Sequence, residues 1–276
     1  MNDENPGQIA RLAARRELKS LNIEALDEID VEAIASFHRL FVVEGELQGA
    51  EGRSVTHAGA GIIRIRRNIH QVERRRFIIA HELGHCILHK TGSVRPCSEG
   101  DLFRYEEGNR EAEANWFASE LLMPGRLLAA HCDAPQPNFA AVKRVATLCR
   151  TTLTATSIRF VQLTAERCCV VWSERGKVKW AVRSPDFPTW VERGRALSSL
   201  SHAADVFAGK SVPVGFQRVP QTAWLDRRVL GGCDVLEETL AFSRLGAALT
   251  MLWLPQGDDE EDRDSDDNDD DARWRR

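Results

Sequence analysis

No stretch of the 276-residue chain approaches the ~20 consecutive apolar residues that a membrane-spanning helix requires, so neither a helical span nor a membrane partner is expected. The first residues, with Asp3 and Glu4 and no long apolar run, do not read as a signal peptide. Cysteine pairing has little support: seven cysteines, an odd number, include the adjacent Cys168 and Cys169 and no Cys-x-x-Cys pair. Reduced thiols and a cytoplasmic protein are the expectation. Tyrosine is nearly absent, with Tyr105 alone, which leaves few side chains able to steady an oxyanion. Charge of one sign is concentrated in one place. The formal net charge is −4, yet Gly257 to Asp271 hold eleven acidic residues and one arginine, and without residues 257–276 the remainder carries +3. Such a block repels itself and is expected to be a disordered tail, solubilising or autoinhibitory, with metal buffering by its aspartates as the alternative.

The chain does hold His81-Glu82-Leu83-Gly84-His85, inside a stretch from Gln71 to Lys90 that no proline interrupts. Phe77, Ile78, Ala80, Leu83, Ile87 and Leu88 recur at helical rather than strand spacing. On a helix, residues at i and i+4 project from one face, so His81 and His85 can bind one Zn²⁺ while Glu82 leans over the water beside it. Zinc lowers the pKa of bound water towards ~7 and polarises a scissile carbonyl, and Glu82 is the natural general base, passing the water's proton to the leaving amine. The competing reading is two core histidines satisfied by backbone carbonyls; unsatisfied, each would cost about 1–3 kcal/mol. His89, one turn on, could sit near the site beyond His85, with a helix-end histidine meeting the terminal carbonyls as the favoured reading. Tyr105 is the candidate oxyanion donor, set against a packing or surface tyrosine.

A catalytic zinc usually has three protein ligands. Arg110 to Met123 form a second helical run, stopped at Pro124, with an apolar stripe of Ala114, Phe117, Ala118, Leu121 and Leu122. Glu111 shares that stripe, whereas Glu113 lies about 160° away on a helical wheel, so Glu111 is the better third ligand. Asn115, one turn beyond Glu111, is placed to hydrogen-bond the outer nitrogen of a zinc-bound histidine. Glu113 and Glu120 are assigned to a solvated helix face.

Together Ala80-His81-Glu82-Leu83-Gly84-His85 and Glu111-x-x-Ala114-Asn115-x-Phe117-Ala118-x-x-Leu121-Leu122-Met123-Pro124 resemble the ImmA/IrrE family of zinc metallopeptidases, which look like gluzincins on a truncated scaffold. The resemblance covers residues 77–124 and implies His81, His85 and Glu111 as zinc ligands. Glu28 to Ala35 bear a weaker likeness to the short helices near that family's N-terminal end. Gly61 to Ile69 have the β-branched content of a strand. In gluzincin-like enzymes the strand before the metal helix is an edge that holds an extended peptide; an ordinary edge blunted by its arginines is the alternative.

Beyond Pro124, Asn138 to Cys149 and Thr154 to Val161 form a helix-turn-helix-like pair around a break near Thr151, as some of the family show. Lys143, Arg144, Arg150 and Arg159 make a thin basic face, so structural packing is favoured over DNA binding. Cys168 to Trp172 and Val178 to Val182 read as a hairpin, and Leu240–Leu245 with Ala247–Leu254, broken at Gly246, as another. The expected fold is α+β. A mainly helical zincin-like domain with a short sheet spans 1–130, the helix-turn-helix-like segment 131–165, and a small α+β domain 166–256; 257–276 are the tail. The resemblance implies a sensor-like domain of GAF type over 166–256. It also implies a zinc-dependent endopeptidase cutting a regulatory protein, such as a transcriptional repressor, in a stress or mobile-element response. The rival is a non-proteolytic sensor or a DNA- or protein-binding regulator with a structural zinc.

Overall fold

The computed structural model describes residues 6–89, 110–225 and 234–255. Tyr105 and the acidic tail lie outside these residues. The fold is α+β, with eight α-helices and two sheets among the described residues. No helix there is long and apolar enough to cross a membrane.

Helix α1 (Pro6–Ser20) buries Ala10, Ala14 and Leu18, which recur every four residues and so line one face. That face lies on α4 (Arg110–Leu122). Helix α2 (Val31–Phe37) starts at Asp30, whose carboxylate accepts from the backbone N–H groups of Glu32 and Ala33. Strands β1 (Leu40–Gly45), β2 (Gly52–His57) and β3 (Ala60–Arg66) follow, in the order β1-β3-β2, with β3 parallel to β1 and antiparallel to β2. The strand expected at the edge is therefore central. The sequence just before the metal helix is paired on both sides, and β2 is the edge strand that lies along α3 (Val72–His89).

Helices α5 (Gly125–Cys132), α6 (Phe139–Cys149) and α7 (Leu153–Leu163) continue the helical layer. Asn138 and Thr152 cap α6 and α7 by accepting from Ala141 and Ala155 N–H, and the break falls at Arg150, in the left-handed region with φ 53°. No residue of α7 is exposed, and Arg159, counted above in a basic face, is buried. Only Leu153, Thr154, Ala155, Gln162 and Leu163 of that helix are partly exposed, and none of them is basic.

The second sheet has β4 (Cys168–Glu174), β5 (Lys177–Arg183), β6 (Gln217–Val219), β7 (Val235–Phe242) and β8 (Ala247–Trp253), in the antiparallel order β5-β4-β8-β7-β6. The first hairpin falls where the two apolar runs around Glu174-Arg175-Gly176 place it. In the second, β7 reaches back to Val235, five residues before the expected start. Both faces of this sheet are covered. Cys168, Val170, Leu249 and Met251 join the core shared with the helices, while Cys169, Val171 and Leu252 pack with Phe187, Trp224 and helix α8 (His202–Phe207). Two buried carboxylates fasten the layers. Glu237 accepts from Ala203 N, Thr239 Oγ1 and Trp224 Nε1 at 2.7–2.9 Å, and Glu238 accepts from Phe139 N at the start of α6. The five described cysteines are all free thiols.

Candidate metal centre

The site is built where α3 meets α4. Gly84, inside the histidine motif, lets the helices close up: a Cβ there would stand 3.0 Å from Phe117 Cδ1. This approach brings Glu111 to the two histidines. His81 Nε2 and His85 Nε2 are 3.1 Å apart, and Glu111 Oε2 lies 3.2 Å from the first and 3.4 Å from the second. His81 and His85 are buried and Glu111 is partly exposed.

The three atoms fit a metal. Tetrahedral zinc with bonds of roughly 2.0–2.1 Å needs ligand atoms about 3.3 Å apart. The outer nitrogen of His81, Nδ1, is 2.8 Å from Asn115 Oδ1, an acceptor, so it carries the proton and Nε2 presents a lone pair. A lone pair and a carboxylate oxygen facing each other at this distance repel unless a cation lies between them. Burial would raise the Glu111 carboxyl, but the imidazoles of His81 and His85 beside it hold it well below the usual carboxylate range. Phe77, stacked at 6.3 Å on His81, closes the other side of that ring.

Glu82 turns towards the sheet. Its Oε2 accepts from Ser54 Oγ on β2 at 2.6 Å, and both residues are buried. Its Oε1 has no hydrogen-bond partner among the described residues. Gly52, two residues before Ser54, is required by the closeness of β2 to α3: a Cβ there would meet Ile78 Cγ2 at 2.5 Å and Glu82 Oε1 at 3.0 Å. Cys86, near Ser54 and Glu82, is pushed up to about 11 by burial and stays a thiol.

The model gathers His81, His85, Glu111 and Asn115 as the sequence anticipates and corrects three neighbours. His89 takes the alternative place near the site: its Nδ1 is 3.2 Å from His85 Nδ1 and its Nε2 is 2.8 Å from Glu113 Oε2. Burial lowers its pKa against the pull of Glu113. Glu113 is therefore partnered rather than solvated. Glu120 is buried, accepts from Arg15 Nε at 2.8 Å and Gly125 N at 3.2 Å, and pairs with Arg159. A solvated face was expected for Glu113 and Glu120, but α4 is buried from Ala114 onward and only its first turn meets solvent. Ser54 was missed altogether; the Gly-x-Ser alternation of a strand was its only local sign. The four-residue steps of His81, His85 and His89 were the sign for His89.

The fold is shared with a Mycobacterium tuberculosis transcriptional regulator at a TM-score of 0.55 and 15% identity, over 88% of this chain and 75% of that one. No curated protein matches the chain. Residues 39–152, which build the whole cluster, match the family model described as the IrrE N-terminal-like domain, Peptidase_M78, in agreement with the resemblance of the histidine and Glu111 motifs to the ImmA/IrrE family.

Proposed function

We propose that the chain is a zinc-dependent metallopeptidase that cuts a regulatory protein, a transcriptional repressor being the substrate class the family implies. The observation that carries this is the convergence of His81 Nε2, His85 Nε2 and Glu111 Oε2 to within 3.4 Å of one another, beside a glutamate that is not one of them. These three residues would hold zinc, and Asn115 would keep His81 in the tautomer that can bind it. Zinc supplies Lewis acidity towards the scissile carbonyl and makes water a better nucleophile near neutral pH. Glu82 is the general base. Ser54 occupies one carboxylate oxygen, leaving Oε1 to take the water's proton and return it to the leaving nitrogen. The edge strand β2 would align an extended peptide by main-chain pairing, with Ser54 tying that strand to the base.

The rival reading, a sensor or regulator with a purely structural zinc, draws support from the fold shared with a transcriptional regulator. Glu82 favours catalysis, since a structural site has no use for a buried base beside an open coordination position. We read the 166–256 region, with its antiparallel sheet, as the sensor-like part and the 257–276 tail as solubilising or autoinhibitory. A test is incubation of the zinc-loaded protein with a repressor encoded beside its gene: a discrete cut, abolished by chelation, supports peptidase activity, and an intact repressor argues for the rival.

A further inference from the structure

We propose that His89 and Glu113, neither of them a metal ligand, form a hydrogen-bonded chain that orients His85 and sets how tightly zinc is held. The proposal rests on the reading of His81, His85 and Glu111 as the zinc site.

The geometry fixes where the protons lie. Glu113 Oε2, 2.8 Å from His89 Nε2, can only accept, so that nitrogen carries a proton. In a neutral imidazole the other nitrogen, His89 Nδ1, is then an acceptor. It faces His85 Nδ1 at 3.2 Å, and of two like nitrogens in a hydrogen bond one must donate, so the proton sits on His85 Nδ1. His85 Nε2 is left bare, and this is the atom that faces His81 and Glu111. Glu113 thus decides, through two rings, which nitrogen of His85 is free to bind metal. It also lends that ring basicity, as a carboxylate behind a ligating histidine does.

The two histidine ligands are served differently. Behind His81 stands Asn115, neutral and fully buried. Behind His85 the chain runs through a ring whose side chain is 7% exposed to a carboxylate that is 25% exposed. The second chain ends in a full charge at the rim, where a substitution alters the site without opening the core.

The test uses the full chain, with zinc itself as the probe and a chromophoric chelator as competitor. Glu113→Ala and His89→Phe should each weaken zinc binding about 10- to 100-fold. Glu113→Gln, which keeps an oxygen able to accept from His89, should fall between wild type and Glu113→Ala. Because the residues act in series, the double variant should be no weaker than His89→Phe alone. In cobalt-loaded protein the visible absorption band should shift in both single variants. Unchanged zinc affinity in a folded Glu113→Ala protein would overturn the proposal. So would complete loss of zinc in His89→Phe with none in Glu113→Ala, which would make His89 a ligand, or full additivity in the double variant. Should His89→Phe fail to fold, the partly exposed Glu113 still decides the matter. No cleavage is measured, so an inactive protein leaves the outcome intact, whereas zinc retained by His81→Ala would refute the underlying site instead.

Discussion

Ser54 Oγ stands 2.6 Å from Glu82 Oε2, joining the edge strand β2 to the glutamate of the histidine motif in a bond sealed from solvent. A hydrogen bond to a buried charged group contributes about 1.5–3 kcal/mol, enough to hold one carboxylate rotamer against the others.

Ser54→Ala should therefore lower the turnover of a cleaved substrate roughly 10-fold or more, with zinc content unchanged. In a Glu82→Gln background the same substitution should cost nothing further, because its effect passes through Glu82. Steady-state kinetics with metal analysis on the four proteins of this cycle checks both points.

The purified protein should bind about one zinc per chain. His81→Ala, His85→Ala and Glu111→Ala should each lose it, measured by inductively coupled plasma mass spectrometry after dialysis.

Glu120→Ala leaves the Arg159 guanidinium buried without its carboxylate. Breaking a buried pair in this way costs about 3–5 kcal/mol, and the melting temperature should fall by roughly 10 °C. Replacing both residues together with leucine and methionine should recover most of the loss. Calorimetry of the single and double variants distinguishes this pair from a surface contact.

Much of the metal site is legible in the chain because its logic is local. The i, i+4 spacing of His81 and His85 and the long pattern from Glu111 to Pro124 each sit on one helix, and only the approach of the two helices had to be supplied. What could not be read depends on three dimensions. Glu113 and Glu120 look like solvated residues until α1, α3 and α7 are seen around them. Ser54 lies 28 residues before Glu82, and nothing in β2 announces which strand will end at the edge. The hairpin of β4 and β5 is legible because two β-branched and aromatic runs flank the turn-forming Glu174-Arg175-Gly176, a local signal, whereas β6 and α8, of three and six residues, are too short to carry one.

Glu238 gives a prediction for pH. Burial raises its carboxyl against the hydrogen bond from Phe139 N and the charge of Lys143. A raised folded value means that the native state holds its proton more tightly than the unfolded chain does. The stability linked to this group is present below its ordinary value of 4.5 and is lost as pH rises through the folded value. Glu238→Gln keeps an acceptor for Phe139 N, so it should melt higher than wild type at pH 7, with the gap closing as pH falls towards 4.5. A pH series of thermal melts in the apo protein tests the sign.

The most direct measurement is cleavage of a repressor by wild-type and Glu82→Gln proteins, both loaded with zinc and followed by intact mass. Glu82 is not a ligand, so zinc and fold should survive the change, while loss of a general base typically slows a reaction roughly 10²- to 10⁴-fold. A single cut by wild type, and binding without cutting by the variant, is the predicted result. Equal cutting by both would remove Glu82 from the chemistry. A repressor left intact by both, but released from its operator, would make the protein a regulator that acts without proteolysis.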